Sequence, residues 1–116
     1  MGSYEVVFYR DKRGRSEVKD FISNMSPSLK RKTLQELCLL EEKGPLVREP
    51  FSKSLRDGLF ELRINLGGDS IRLLYFFCKD RRILVTSGFA KKSQKTPKRE
   101  IDKAFRLKSA WDARTT

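Results

Sequence analysis

The sequence has no histidine among its 116 residues. It therefore lacks the side chain that most often serves as a general base near neutral pH and most often ligates metals. Cysteine is nearly as scarce. Cys38 and Cys78 are the only two, short of the roughly four ligands a structural zinc site takes. No metal and no cofactor is expected. With no secretory signal in view, two cysteines imply a reducing cytoplasm. Both are expected as small core or edge residues. No apolar run approaches the ~18 residues of a membrane span, and there is no internal repeat or low-complexity linker. Acid is also in deficit: 15 Asp and Glu stand against 26 Lys and Arg, a formal net charge of +11. Such an excess favours a nucleic acid, an anionic membrane or an acidic protein as partner.

Hydrophobic residues make up 38% of the chain and aromatics 10%, enough to argue against disorder. The length suits one domain over 1–116 with a modest core. Met1-Gly2-Ser3 reads as a cloning remnant. Tyr4 to Tyr9, rich in β-branched and aromatic residues, reads as a first strand. Val18, Phe21, Ile22 and Met25 then form one helical stripe. Ser26-Pro27 stops that helix and opens another, with Ser26 as N-cap and Pro27 at the first helical position. The second helix carries Leu34, Leu37, Cys38 and Leu40 and ends at Gly44-Pro45. Leu46 to Asp57 is a connecting stretch containing Arg48, Lys53 and Arg56.

The period then switches to two. Phe60, Leu62, Ile64 and Leu66 alternate with Glu61, Arg63 and Asn65. After Gly67-Gly68, Ile71, Leu73, Tyr75 and Phe77 alternate with Arg72, Leu74 and Phe76. A Gly-Gly pair between alternating runs predicts a hairpin. A turn at Lys79-Asp80 leads to a fourth strand, Arg82 to Phe89. Thr96 is the expected N-cap of a last helix opened by Pro97, with Ile101, Ala104, Phe105 and Trp111 on its apolar side. The predicted order is β-α-α-β-β-β-α, an α+β fold with a mostly antiparallel sheet, a helical hairpin and a C-terminal helix.

A hairpin centred on Gly67-Gly68 pairs Leu66 with Asp69, Ile64 with Ile71, Leu62 with Leu73 and Phe60 with Tyr75. The apolar faces match throughout. The same register sets Arg63 opposite Arg72 on the other face, with no acid matched to both. Directly opposed like charges destabilise a sheet, so the pair makes sense around a phosphate or a partner's carboxylate. A turn centred between Lys79 and Asp80 makes Ser87 a further neighbour of Arg72. Phe89 then lies on the arginine face, where it either stacks an unpaired base or belongs to the core. Lys91, Lys92, Lys95 and Lys98 follow, and residues 89–116 carry nine basic and three acidic residues. The helix start near Pro97 adds a smaller attraction for anions. Each signal alone also fits a plain surface: Arg63 paired with Glu61, or lysines solvated at a helix start. Their convergence at one end of the sheet points to a polyanion, with RNA foremost.

Three stretches carry a family resemblance: L-F-E-L-R at 59–63, I-R-L-L-Y-F-F at 71–77 and G-F-A-K-K-S-Q-K-T-P-K-R-E-I at 88–101, together with Ala104. They resemble the RelE/ParE toxin superfamily of bacterial toxin–antitoxin systems, in particular its phage-derived HigB-like branch. The element order agrees, so the resemblance covers nearly the whole chain. It implies a small basic toxin that cleaves mRNA on translating ribosomes. A HigA-like helix-turn-helix antitoxin would neutralise it, with operator DNA contacted only through that antitoxin and no membrane partner. Carried over residue by residue, Arg72 takes the place of the arginine at the scissile phosphate. Arg63 matches the arginine closing the preceding strand, and Lys91-Lys92 the basic pair after the last strand. The chain departs from the RelE pattern twice. Glu61 stands where RelE has one of its strand lysines, and no tyrosine follows Tyr75 to supply the C-terminal catalytic one.

The expected reaction is cleavage without a metal, in which a 2′-hydroxyl attacks its own 3′ phosphate. Arg72 and Arg63 stabilise the added charge, and Lys91, Lys92 or Lys95 moves a proton. Phe89, Gln94, Lys98, Arg99 and Lys53 are the expected RNA contacts. A toxin of the same fold without nuclease activity, or one that poisons gyrase as ParE toxins do, is the competing reading.

Overall fold

The computed structural model describes residues 3–115, so Met1 and Gly2 of the supposed cloning remnant lie outside the described residues. In chain order come β1 (Glu5–Phe8), α1 (Glu17–Ser23), α2 (Pro27–Lys43), a 3-10 turn (Gly44–Leu46), β2 (Ser52–Arg56), β3 (Leu59–Leu66), β4 (Asp69–Cys78), β5 (Arg82–Ala90) and α3 (Lys98–Thr115). The strands form one sheet in the order β1-β5-β4-β3-β2. All pairings are antiparallel except β1 with β5, which is parallel. The predicted α+β class and the order of the predicted elements are borne out. Among the described residues, no helix is long and apolar enough to cross a membrane.

The sequence reading missed one strand. β2 lies in the stretch expected as a plain connection, and its S-K-S-L-R sequence shows little alternation. As an edge strand it pairs only with β3, and its Lys53 and Arg56 suit an edge that must not recruit another chain. The reading of α2 also needs correction. Ser26 does cap it, accepting a hydrogen bond from Leu29 N–H at 3.4 Å. Its buried face is Leu29, Thr33, Glu36, Leu37 and Leu40, whereas Leu34 and Cys38 are exposed. One step along a helix turns ~100°, so Cys38 points away from the face that Leu37 buries. At the C-cap, Gly44 has φ +53, and a Cβ there would fall 2.3 Å from the Tyr4 ring.

Helices cover both faces of the sheet. Leu62, Ile64, Ile71, Leu73, Tyr75, Ile83 and Val85 meet α1 and α2 in one core. Gly88 belongs to this side, since a Cβ there would meet Leu73 at 2.6 Å and Phe21 of α1 at 2.9 Å. On the opposite face, Leu59, Leu74 and Phe76 pack against Ala104 of α3, with Ile101 and Phe105 beside it. α3 does not cover the end of this face that carries Arg63 and Arg72, and that end is where the charged residues gather.

Candidate functional site

The β3–β4 hairpin has the register that its alternation dictates. Leu66 pairs with Asp69 across the turn, Ile64 with Ile71, and Arg63 with Arg72. The β4–β5 register differs from expectation. The turn spans Lys79, Asp80 and Arg81, with Asp80 at φ 61 and Arg81 at φ 54, so its centre falls on Asp80 and not before it. A bulge at Thr86 adds a second residue, and Thr86 Oγ1 donates to the carbonyl of Leu74 at 3.2 Å. Either shift alone would turn the strand's faces over. Together they keep the faces and slide β5 by two positions. Arg72 therefore sits opposite Phe89, and Ser87 lies opposite Leu74. Phe89 is half-buried and packs against the α3-side core.

The expectation that no acid serves both arginines is overturned by Glu61. Its Oε2 lies 3.4 Å from Arg63 Nε and 3.7 Å from Arg72 Nε. Its Oε1 accepts a hydrogen bond from Thr96 Oγ1. Glu61 is only 1% exposed, and β2 sets Lys53 directly across from it. Thr96 is thus not the N-cap of α3, which begins at Lys98 with the Glu100 and Ile101 N–H groups donating to the Pro97 carbonyl. Its hydroxyl instead ties the loop between β5 and α3 down to β3. Arg63 also reaches Glu49 at 3.8 Å. Arg72 Nη1 donates to Asn65 Oδ1 at 3.3 Å and to the Ile71 carbonyl at 2.9 Å, while its Nε has no hydrogen-bond partner among the described residues. Burial pushes the Arg72 pKa down, Glu61 pushes it back up, and Arg63 lowers it. A guanidinium remains charged through such shifts.

Lys91 follows β5, with its N–H on the Ser70 carbonyl at 2.7 Å. Burial lowers the pKa of its ammonium, Glu61 opposes that, and Arg72, Arg63 and Lys53 lower it further. Two open clefts meet at this lysine. One, of about 460 Å³, is lined by Ser70, Arg72, Lys91, Lys92, Ser93 and Gln94. The other, of about 230 Å³, holds Lys53, Arg56, Glu61, Arg63, Lys91, Gln94, Lys95 and Thr96. The structure thus brings Arg63, Arg72, Lys91, Lys92, Lys95, Lys53 and Gln94 around one end of the sheet.

Lys98 and Arg99 line neither cleft. Lys98 pairs with Asp102 at 2.8 Å and Arg99 with Glu100 at 3.9 Å, both on α3 and both largely in solvent. Sequence reasoning missed the central place of Glu61 and the part played by Thr96. Alternation does put Glu61 on the arginine face, but its meeting with Lys53 and Thr96 depends on β2 and on the loop before α3. Among the described residues, no three of His, Cys, Asp and Glu gather as metal ligands.

Residues 20–109 match the family model of the phage-derived Gp49-like proteins. A chain of the archaeal RelE–RelB complex from Pyrococcus horikoshii OT3 superposes with a TM-score of 0.51 at 23% identity, covering 76% of this chain and 94% of that one. That likeness is one of fold. No curated protein matches the chain. The family match spans most of the sequence: the chain belongs to the phage-derived Gp49-like proteins, a RelE/HigB-type toxin family, as its motifs suggested.

Proposed function

We propose that this Gp49-like protein is the toxin of a toxin–antitoxin pair and acts as an endoribonuclease on mRNA at translating ribosomes. The observation that carries the reading is Arg63 paired across the sheet with Arg72, the one lining one open basic cleft and the other its neighbour, with Lys91 lining both. Two guanidinium groups side by side match the geometry of a phosphate and of the more highly charged phosphorane that forms from it.

In the proposed reaction the 2′-hydroxyl of a bound nucleotide gives up its proton to solvent water and attacks the adjacent 3′ phosphorus. The bond from phosphorus to the 5′ oxygen of the next nucleotide breaks. The products are a 2′,3′-cyclic phosphate and a 5′-hydroxyl end. Arg72 and Arg63 stabilise the charge gathering on the non-bridging oxygens. Lys91, with its pKa lowered by burial and by neighbouring cations, gives a proton to the leaving oxygen more readily than an ordinary lysine. Lys92 and Lys95 flank the path of the chain, and Phe89, half-buried opposite Arg72, is the aromatic nearest to hand for a base. Lys98 and Arg99 would contact only RNA that runs on past the clefts.

A helix-turn-helix antitoxin with an acidic surface is the proposed neutralising partner, covering the basic clefts. The archaeal RelE of similar fold was solved with RelB. One observation favours a second reading, a toxin of this fold that strikes a protein target such as gyrase: no tyrosine lies in the clefts. Tyr75 is buried on the other face of the sheet, and Tyr4 packs against Phe77.

Inducible expression of the wild type and of Arg72→Ala in bacteria, with mapping of mRNA 5′ ends, separates the readings. Growth arrest with new ends inside translated frames, absent from the variant, is the expected result. Arrest with intact transcripts would overturn the nuclease and bring DNA breakage by a poisoned gyrase to the front.

A further inference from the structure

Glu61 is the most deeply buried acidic side chain among the described residues. A buried carboxylate is costly unless paired, and here Arg63, Arg72, Lys91 and Lys53 all face it. The dependence runs the other way too. Arg63 and Arg72 are directly opposed, an arrangement that repels, and Glu61 Oε2 lies within 3.7 Å of both Nε atoms. Its other oxygen is occupied by Thr96. Both oxygens are engaged, and although Glu61 borders the second cleft it is only 1% exposed there, which leaves little of it to meet a ribose hydroxyl. A role as general base does not fit this placement.

We propose that Glu61 is a positioning residue: its carboxylate holds Arg63 and Arg72 together as a preformed phosphate cradle and, through Thr96, fixes the loop that carries Lys91. The consequence for turnover rests on the nuclease reading, whereas the consequence for the cations does not.

Glu61→Gln keeps the shape and removes one negative charge. Arg63 and Arg72 then repel without relief. The basic clefts become more positive, so a polyanion binds at least as well, while the cradle loses its geometry. Turnover is expected to fall roughly 10- to 100-fold with no rise in KM. Lys91 should titrate at a lower pH, because among Glu61, Arg72, Arg63 and Lys53 only the carboxylate favours its charged form.

The test compares the wild-type full chain with Glu61→Gln, Arg63→Gln and the double variant. The readouts are thermal unfolding, NMR titration of the Lys91 ammonium, and binding of a single-stranded RNA whose 2′-hydroxyls are methylated against cleavage. Expected are a lower Tm in Glu61→Gln that Arg63→Gln partly restores, a lower Lys91 midpoint, and undiminished RNA binding. Additive Tm losses with an unmoved Lys91 midpoint would overturn the proposal, as would loss of RNA binding in parallel with stability. If Glu61→Gln fails to fold, a folded double variant supports the positioning role, and an unfolded one reduces Glu61 to a structural residue. If the wild type leaves mRNA intact on translating ribosomes as well, the nuclease reading falls, and the Lys91 midpoint and the Arg63→Gln rescue still decide the role of Glu61.

Discussion

The two faces of the sheet are built from the same strands and serve opposite ends. Towards α1 and α2, Leu62 and Ile64 of β3 and Ile71, Leu73 and Tyr75 of β4 form one buried apolar face. Towards α3, the apolar run of Leu59, Leu74 and Phe76 gives way to Glu61, Arg63 and Arg72 where the helix no longer covers the strands. The first face is stabilised by removing hydrocarbon from water. The second leaves like charges opposed, a cost that a binding site can carry because the rest of the sheet supplies the stability.

The contrast can be broken most severely from the apolar side. Leu73 is fully buried, and Leu73→Ala should cost about 2–5 kcal/mol of stability by leaving a cavity. Chemical denaturation would read this directly, and the molecules that stay folded should bind RNA as before. On the charged side the effect should appear in rate and not in stability. Arg72→Ala is expected to slow cleavage ~10²–10³-fold while moving the denaturation midpoint less than Leu73→Ala does. A larger stability loss from Arg72→Ala would mean that the charged end is part of the scaffold.

Smaller effects sharpen the map of that end. Lys91→Ala and Lys53→Ala should each flatten the dependence of log affinity on log salt by about one. Lys98→Ala, whose ammonium is already paired in solvent with Asp102, should change the slope little when the RNA is short enough to fill only the clefts.

The smallest expected effect is the response to pH. The folded-state pKa of Lys91 lies below its unfolded value, so the unfolded chain holds that proton more tightly. The resulting penalty is fully present below the folded value and is relieved as pH rises through the window between the two values. Tm should therefore show an alkaline rise that Lys91→Met lacks. In the wild type, cleavage should decline over that same window as the proton donor is lost.

The β3–β4 hairpin was legible because period-two alternation on both sides of Gly67-Gly68 admits one register that buries the apolar set. The start of α2 was legible in Ser26-Pro27, a cap and a first-turn residue in the right order. The opposition of Arg63 and Arg72 followed from that register alone. β2 was not legible, because an edge strand made of Ser, Lys and Arg with a single Leu needs only β3 as a neighbour and shows no pattern of its own. The position of Phe89 was misjudged because two single-residue shifts, at Asp80 and Thr86, cancel in face but add in position.

What the sequence determined by itself was therefore local and periodic. It set the class of the elements, the hairpin register, the excess of positive charge and the motifs that mark a toxin family. What only the tertiary structure decided was which charges meet. Glu61, Lys53, Arg72, Lys91 and Thr96 come from separate strands and a loop, and alternation sets which face each strand residue takes but not its neighbours across the sheet. The physical reason is that a long-range ion pair costs nothing to omit from a local pattern. Its geometry exists only once β2, the Thr86 bulge and the loop before α3 have closed around the end of the sheet.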